Sequence, residues 1–326
     1  MKQHVNKRSV RLFVTVYLFI TPAQAASAGM MQPNVLVVHP PLYPLVAEIM
    51  RGSGAPEMLL SAGQDSHHIQ LSPKQADKLA RADVIILADR GMSVSLTKPI
   101  AARVAKGATV IAISELKGAD PLTYRSQNHF THADDHNDGN IDPHLWLDPV
   151  RMAGVVKSLA VKLGERNMAF DNTYRSNAET LATHLKQEVD AGIRTLLSAH
   201  PAARTKDTIA YIAYHDAYQY FEKRYELSPV GYITQKPESF IGAKAMKTLM
   251  ESAEKSKVRC LIAESNSPLA KRFAIYTQAK TILLSPERLY SAKDAPSATW
   301  IRNDYDRLLA KVAYTFAGCI SGSLAK

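Results

Sequence analysis

Five of the chain's eleven histidines stand where an α/β fold would place ligand-binding residues. His39 directly follows the apolar run Val35–Val38. His67 and His68 follow Met58–Leu60, and His215 follows the apolar stretch Thr208–Tyr214. His144 closes a long polar loop, in Asp142-Pro-His-Leu-Trp-Leu-Asp-Pro149. Open α/β sheets bind ligands beyond the carboxyl ends of their strands. Neutral imidazole is a good ligand for Zn2+, which favours four-coordinate nitrogen, sulfur and oxygen sites. The same positions also suit loop and cap histidines, so placement alone leaves both readings open.

The elements that must carry these residues can be read from hydropathy patterning. Val35–Val38, Met58–Leu60, Val84–Leu87 and Thr109–Ile113 predict strands, and Pro44–Met50, Ser72–Arg81 and Lys98–Lys106 predict the helices between them. That alternation implies a parallel sheet built from βα units. Apolar residues Leu181, Leu185, Val189, Ile193 and Leu197 recur every fourth position and predict one long helix over 172–199, with Gly192 tolerated at some cost. A second strand series follows: Thr208–Ala213, Val230–Ile233, Val258–Ala263 and Thr281–Leu284. The expected fold is therefore α/β, with two lobes, each a mainly parallel sheet flanked by helices, joined by one long rigid helix. A length of 326 residues suits two lobes of roughly 150 residues each. The expected organisation is an N-terminal lobe over 29–171, the linking helix 172–199 and a C-terminal lobe over 200–326. No internal sequence repeat is visible.

Residues 1–28 read as a signal peptide. Lys2, Lys7, Arg8 and Arg11 precede the apolar run Leu12–Ile20, and small residues follow, with cleavage expected after Ala25 or Ala28. Loss of this segment removes four basic and no acidic residues, taking the net charge from +10 to about +6. That mild balance, with no basic stripe or base-stacking motif, gives no argument for nucleic acid. In an oxidising compartment Cys260 and Cys319, the two cysteines, can close a disulfide. Two buried free thiols are the alternative.

Three local motifs carry a family resemblance. They are Ser66-His67-His68-Ile69-Gln70-Leu71-Ser72-Pro73, Asp142-Pro143-His144-Leu145-Trp146-Leu147, and Tyr214-His215-Asp216-Ala217-Tyr218-Gln219-Tyr220-Phe221. In this order they resemble the zinc- and manganese-binding substrate-binding proteins of bacterial ABC importers, in particular the periplasmic zinc-uptake type. The resemblance covers the whole chain after the signal segment. It implies three histidine ligands, His67, His144 and His215, with His67 rather than His68 at the family's distance from the proline. It also implies a disulfide between Cys260 and Cys319.

A third imidazole, where manganese-type members tend to carry a carboxylate, makes Zn2+ the expected ligand and Mn2+ the lesser one. The family usually presents an aspartate after the late strand; this chain reads Leu283-Leu284-Ser285-Pro286-Glu287. Ser285 is a poor ligand, so the fourth position falls to water first, then to Glu287, a loop histidine or His39. The loop over 126–142 carries His129, His132 and His136 among aspartates, a composition that suits extra metal capture. The resemblance implies a periplasmic monomer that hands zinc to an inner-membrane ABC permease with its cytoplasmic ATPase, with a periplasmic zinc chaperone as a further partner. A zinc buffer, chaperone or adhesin of the same fold is the alternative. A zinc hydrolase is expected least, since HExxH and GxSxG are both lacking. Glu264 and Asp216 are candidates for orienting the ligands.

Overall fold

A computed structural model describes residues 32–61, 64, 66–125, 141–199, 210–235, 241–294 and 296–321. The signal segment, His129, His132 and His136 lie outside the described residues, as do the first residues of the strand expected over 208–213.

The first lobe runs β1 (Val35–Val37), α1 (Tyr43–Ile49), β2 (Glu57–Met58), α2 (Pro73–Arg81), β3 (Val84–Leu87), α3 (Thr97–Val104) and β4 (Thr109–Ala112). Its four strands pair in parallel in the order β2-β1-β3-β4. Next come α4 (Pro149–Arg166), then α5 (Asp171–His184), a π-helical stretch at Leu185–Val189 and α6 (Asp190–Ser198). The second lobe comprises β5 (Tyr211–His215), α7 (Gln219–Tyr225), β6 (Gly231–Thr234), α8 (Ala243–Lys255), β7 (Cys260–Ala263), α9 (Pro268–Thr277), β8 (Lys280–Leu283) and α10 (Asp304–Ser321). Its strands are again parallel, in the order β6-β5-β7-β8. Both sheets thus share one topology, which the sequence does not show as a repeat. In each, the strand order reverses beside the first strand, and that switch point is where α/β sheets bind ligands.

Side chains alternate across each strand, and that alternation builds the layers. Val35 and Val37 face a central core, whereas Leu36 and Val38 face the outer helices. In β5, Tyr211 and Ala213 point to the same central core and Ile212 points outward. The five residues Leu181, Leu185, Val189, Ile193 and Leu197 lie buried in that core. One continuous core therefore joins the inner faces of both sheets to the long helix. The long helix buries one apolar face along its length against α1, α4 and α10, and bending it would open that surface to water. Gly192 has a packing reason: a Cβ there would come within 2.3 Å of Trp300 Nε1.

Sequence also sets the helix starts. Ser72 and Gln75 form a reciprocal capping box ahead of α2, with Pro73 at its first position. Asp148 caps α4 by accepting from the backbone N–H groups of Val150 and Arg151 at 3.0 and 3.1 Å. Cys260 and Cys319 are joined in a disulfide that ties α10 to the start of β7. Two strands depart from expectation in particular: the strand expected over Met58–Leu60 is Glu57–Met58, so Leu59 and Leu60 lie beyond it. The run expected to end at Ala213 extends through His215, whose Cα pairs with Thr234, so His215 is a strand residue and not the first of a loop. No helix among the described residues is long and apolar enough to cross a membrane.

Candidate metal centre

The two switch points face each other, and the three motif histidines meet between them. His67, His144 and His215 are buried, and each offers one ring nitrogen, all within 4.8 Å of one another. Their ring centroids lie 4.9 to 5.6 Å apart. His68, the neighbour not chosen from spacing, points to the exposed side.

Each ligand-type side chain is aimed by its surroundings. His144 sits between the loop and a buried single turn, Leu145–Leu147, that runs into the capped start of α4. Its Nδ1 meets Asp142 Oδ1 at 2.7 Å, and the same oxygen accepts its backbone N–H at 3.0 Å. The imidazole Nδ1–H therefore donates to Asp142 and Nε2 faces the centre. His215 repeats this arrangement: its Nδ1 meets Glu264 Oε1 at 2.8 Å, across the switch point between β5 and β7. A carboxylate on the far nitrogen fixes the tautomer and raises the basicity of a metal-binding imidazole. Asp216, the other candidate for this task, turns away into an ion pair with Arg125.

The fourth group is Glu287. Its Oε1 lies 3.0 Å from His67 Nε2 and 3.7 Å from His144 Nε2. Its Oε2 accepts from the backbone N–H of Ser66 at 3.2 Å. A carboxylate thus stands where the sequence leaves the place first to water. Ser285 is no ligand but a turn residue. Its N–H donates to the Tyr290 hydroxyl at 2.8 Å, that hydroxyl donates back to the Ser285 carbonyl at 3.0 Å, and its own Oγ accepts from the Glu287 N–H at 3.4 Å. The turn presents the carboxylate two residues late.

His39 is not drawn into the group. Its Nδ1 accepts from the Ala88 N–H at 3.0 Å, so Nε2 carries the proton and donates to Ser93 Oγ at 3.2 Å. Ser93 in turn donates to the Ser66 carbonyl at 2.6 Å. With both nitrogens engaged, His39 acts as a strut behind the His67 segment. Burial pushes its pKa down to about 3, which keeps it neutral.

The charge balance around the centre is negative. For His144, burial pushes the imidazole pKa down, but the hydrogen bond to Asp142 and the nearby carboxylate charges of Asp142 and Glu287 outweigh that and raise it to about 10. Burial alone would raise Glu287; the neighbouring His144 and His67 imidazoles hold it well below the usual carboxylate range. Without a metal, a proton on His144 offsets this carboxylate. A divalent cation offers more charge at the same point, and the donor set of nitrogens with one oxygen suits zinc chemistry. A tetrahedral ion with bonds of about 2.0–2.1 Å places its donors about 3.3 Å apart. The Glu287 separations straddle that edge, and the imidazole nitrogens lie within 4.8 Å of one another.

Sequence reasoning missed Arg125, Asp142 and Gln219 as parts of this region. Asp142 was legible in its motif, as a carboxylate two residues before the histidine. Gln219 stood inside the third motif with nothing to mark its role, and Arg125 left no local signal.

Residues 35–318 match the family model described as zinc-uptake complex component A, periplasmic. The chain is 27% identical over 322 residues to the high-affinity zinc uptake system protein ZnuA of Brucella suis biovar 1, covering 88% of this chain and 92% of that protein. Its likeness to the protein of the same name from Yersinia pestis is 26% over 278 residues, covering 80% and 83%. Among solved structures, it resembles a crystal structure of ZnuA with a TM-score of 0.69 at 20% identity, over 89% of this chain and 99% of that one. The Mn2+ complex of FpvC from Pseudomonas aeruginosa matches with a TM-score of 0.69 at 18% identity, over 90% and 99%. These structural likenesses share the two-lobed fold.

Proposed function

The chain belongs to the family of periplasmic component A of zinc-uptake complexes, and from that premise we propose that it captures one Zn2+ between its lobes and delivers it to an ABC-type permease with its ATPase. His67, His144 and His215 supply three nitrogen ligands and Glu287 Oε1 the fourth. The convergence of these four buried groups from both lobes is the observation that carries the reading. Relatives named for high-affinity zinc uptake support zinc as the cargo, and the third imidazole favours it over Mn2+.

The same geometry argues against catalysis. Catalytic zinc keeps a coordination position open for water, whereas structural sites close it. A carboxylate aimed at the centre beside three imidazoles fills that position. All four ligands come from one chain, which supports action as a monomer. The basic, apolar and small-residue succession over 1–28 supports export to the periplasm.

Calorimetric titration of the purified protein with Zn2+, beside the variant carrying His67→Ala, His144→Ala and His215→Ala, tests the assignment. The expected result is one equivalent bound by the parent and none by the variant. Retention of one tightly bound ion by the folded variant would overturn the ligand set. Loss of zinc-limited growth on gene deletion, restored by the parent and not by the variant, tests delivery.

A further inference from the structure

The ligand His144 is held from the opposite lobe. Asp142 is completely buried and spends one oxygen on His144. Its other oxygen, Oδ2, accepts from Gln219 Nε2 at 3.0 Å. Gln219 opens α7, shortly after His215, so it belongs to the second lobe. The same amide nitrogen donates to the Thr123 carbonyl at 3.1 Å. Next to it, the Tyr220 hydroxyl donates to the Asp142 carbonyl and accepts from the Leu122 N–H, both at 2.8 Å. Thr123 pairs with Ile141, so α7 grips both chain segments at the base of the polar loop. Arg125 reinforces the grip through ion pairs to the buried Asp216 and Glu222.

A buried carboxylate oxygen that loses its donor carries its full desolvation penalty. Among the described residues, Gln219 is the hydrogen-bond donor to Asp142 Oδ2. Without it, the carboxylate is free to rotate towards another donor. The His144 ring would turn with it, because its orientation is set by the bond at Nδ1. Gln219 also moves with His215, since both belong to the β5–α7 segment.

We propose that Gln219 is a positioning residue that fixes the His144 ligand from the opposite lobe through Asp142. Parting of the lobes at α7 then withdraws the Gln219 amide, loosens His144 and speeds metal release. The inference rests on the zinc-binding reading and adds to it the linkage that joins lobe movement to ligand geometry.

The test follows zinc release to a chelator by stopped flow, and the visible absorption of the Co2+ form, whose band intensity reports tetrahedral geometry. The proteins are the parent, Gln219→Leu, Asp142→Asn and the double variant. Gln219→Leu should release zinc about 10- to 100-fold faster, the range expected for partners of a ligand. Its Co2+ spectrum should change while the metal-free unfolding midpoint stays within a few degrees of the parent. The double variant should release no faster than Asp142→Asn, since both act through one bond. Gln219→Glu, which keeps the shape and removes the donor, should reproduce the acceleration if the leucine variant folds poorly. Release at the parent rate in both Gln219 variants, or effects of Gln219→Leu and Asp142→Asn that multiply, would overturn the inference. The triple histidine variant separates the two claims. Parent-like Co2+ binding by that variant sinks the zinc site itself; lost binding there with unchanged Gln219 variants sinks only the linkage.

Discussion

Glu287 Oε1 stands 3.0 Å from His67 Nε2, and its partner oxygen takes the N–H of Ser66, the residue before that histidine. The turn after β8 thereby reaches across to the loop before α2. A single carboxylate contacts the metal group and the backbone that carries one of its ligands. The proposed metal site and the contact between lobes consequently share one side chain.

Glu287→Gln keeps the shape of this side chain and removes its charge. Zinc affinity should fall by more than the roughly 10- to 100-fold typical of residues that merely orient a ligand. Ser285→Ala, which removes only a 3.4 Å contact to the Glu287 N–H, should leave affinity within about threefold, the weak end of a hydrogen bond's net worth. Competition titration with a zinc-sensitive dye measures both. Equal losses in the two variants would show that Ser285 is not merely a turn residue.

The raised pKa of His144 extends proton competition above neutral pH, beyond the acid range expected for ordinary imidazoles. An unfolded histidine titrates near pH 6.5, and His144 in the metal-free fold near 10. The stability contributed by its charged form is fully present below about pH 6.5 and is lost as pH rises through about 10. Zinc requires the unprotonated Nε2. Between pH 7 and 9, binding should release about one proton, and affinity should climb by up to about tenfold per pH unit. Calorimetry in buffers of different ionisation enthalpy reads the proton directly; a buffer-independent heat would contradict the raised pKa.

His39→Leu tests the strut. It leaves the buried Ala88 N–H and the Ser93 hydroxyl without their imidazole partner, at a cost of about 2 kcal/mol in stability. Urea denaturation of the metal-free protein measures this. Zinc stoichiometry should remain one. A folded variant that binds no zinc would make His39 a ligand after all.

Replacing both Cys260 and Cys319 by alanine should cost about 2–4 kcal/mol, the usual worth of a bridge closing a loop of this size, here a sequence separation of 59. Zinc affinity should stay within a few-fold of the parent. Cys260 starts β7, while Glu264 follows its other end and holds His215. A large loss of affinity at unchanged fold would mean the strand transmits strain along its length.

Sequence determined the features with local periodicity or local chemistry. Strand alternation and fourfold apolar spacing revealed the βα order and the long helix, because hydrophobic burial imprints the period of each element on the chain. The three histidines were legible because each lies in a short motif beside a capped helix start or a strand end. Tertiary structure decided the rest. Glu287 and His39 were equal candidates in the sequence. Only the folded turn at Ser285–Tyr290 aims the first at His67, and only the Ala88 N–H and Ser93 occupy both nitrogens of the second. Gln219, Asp142 and Arg125 became a clasp because two sheets of the same topology face each other across one core. Such contacts join residues far apart in the chain, and their geometry depends on how whole lobes pack, for which no spacing in the sequence provides a signal.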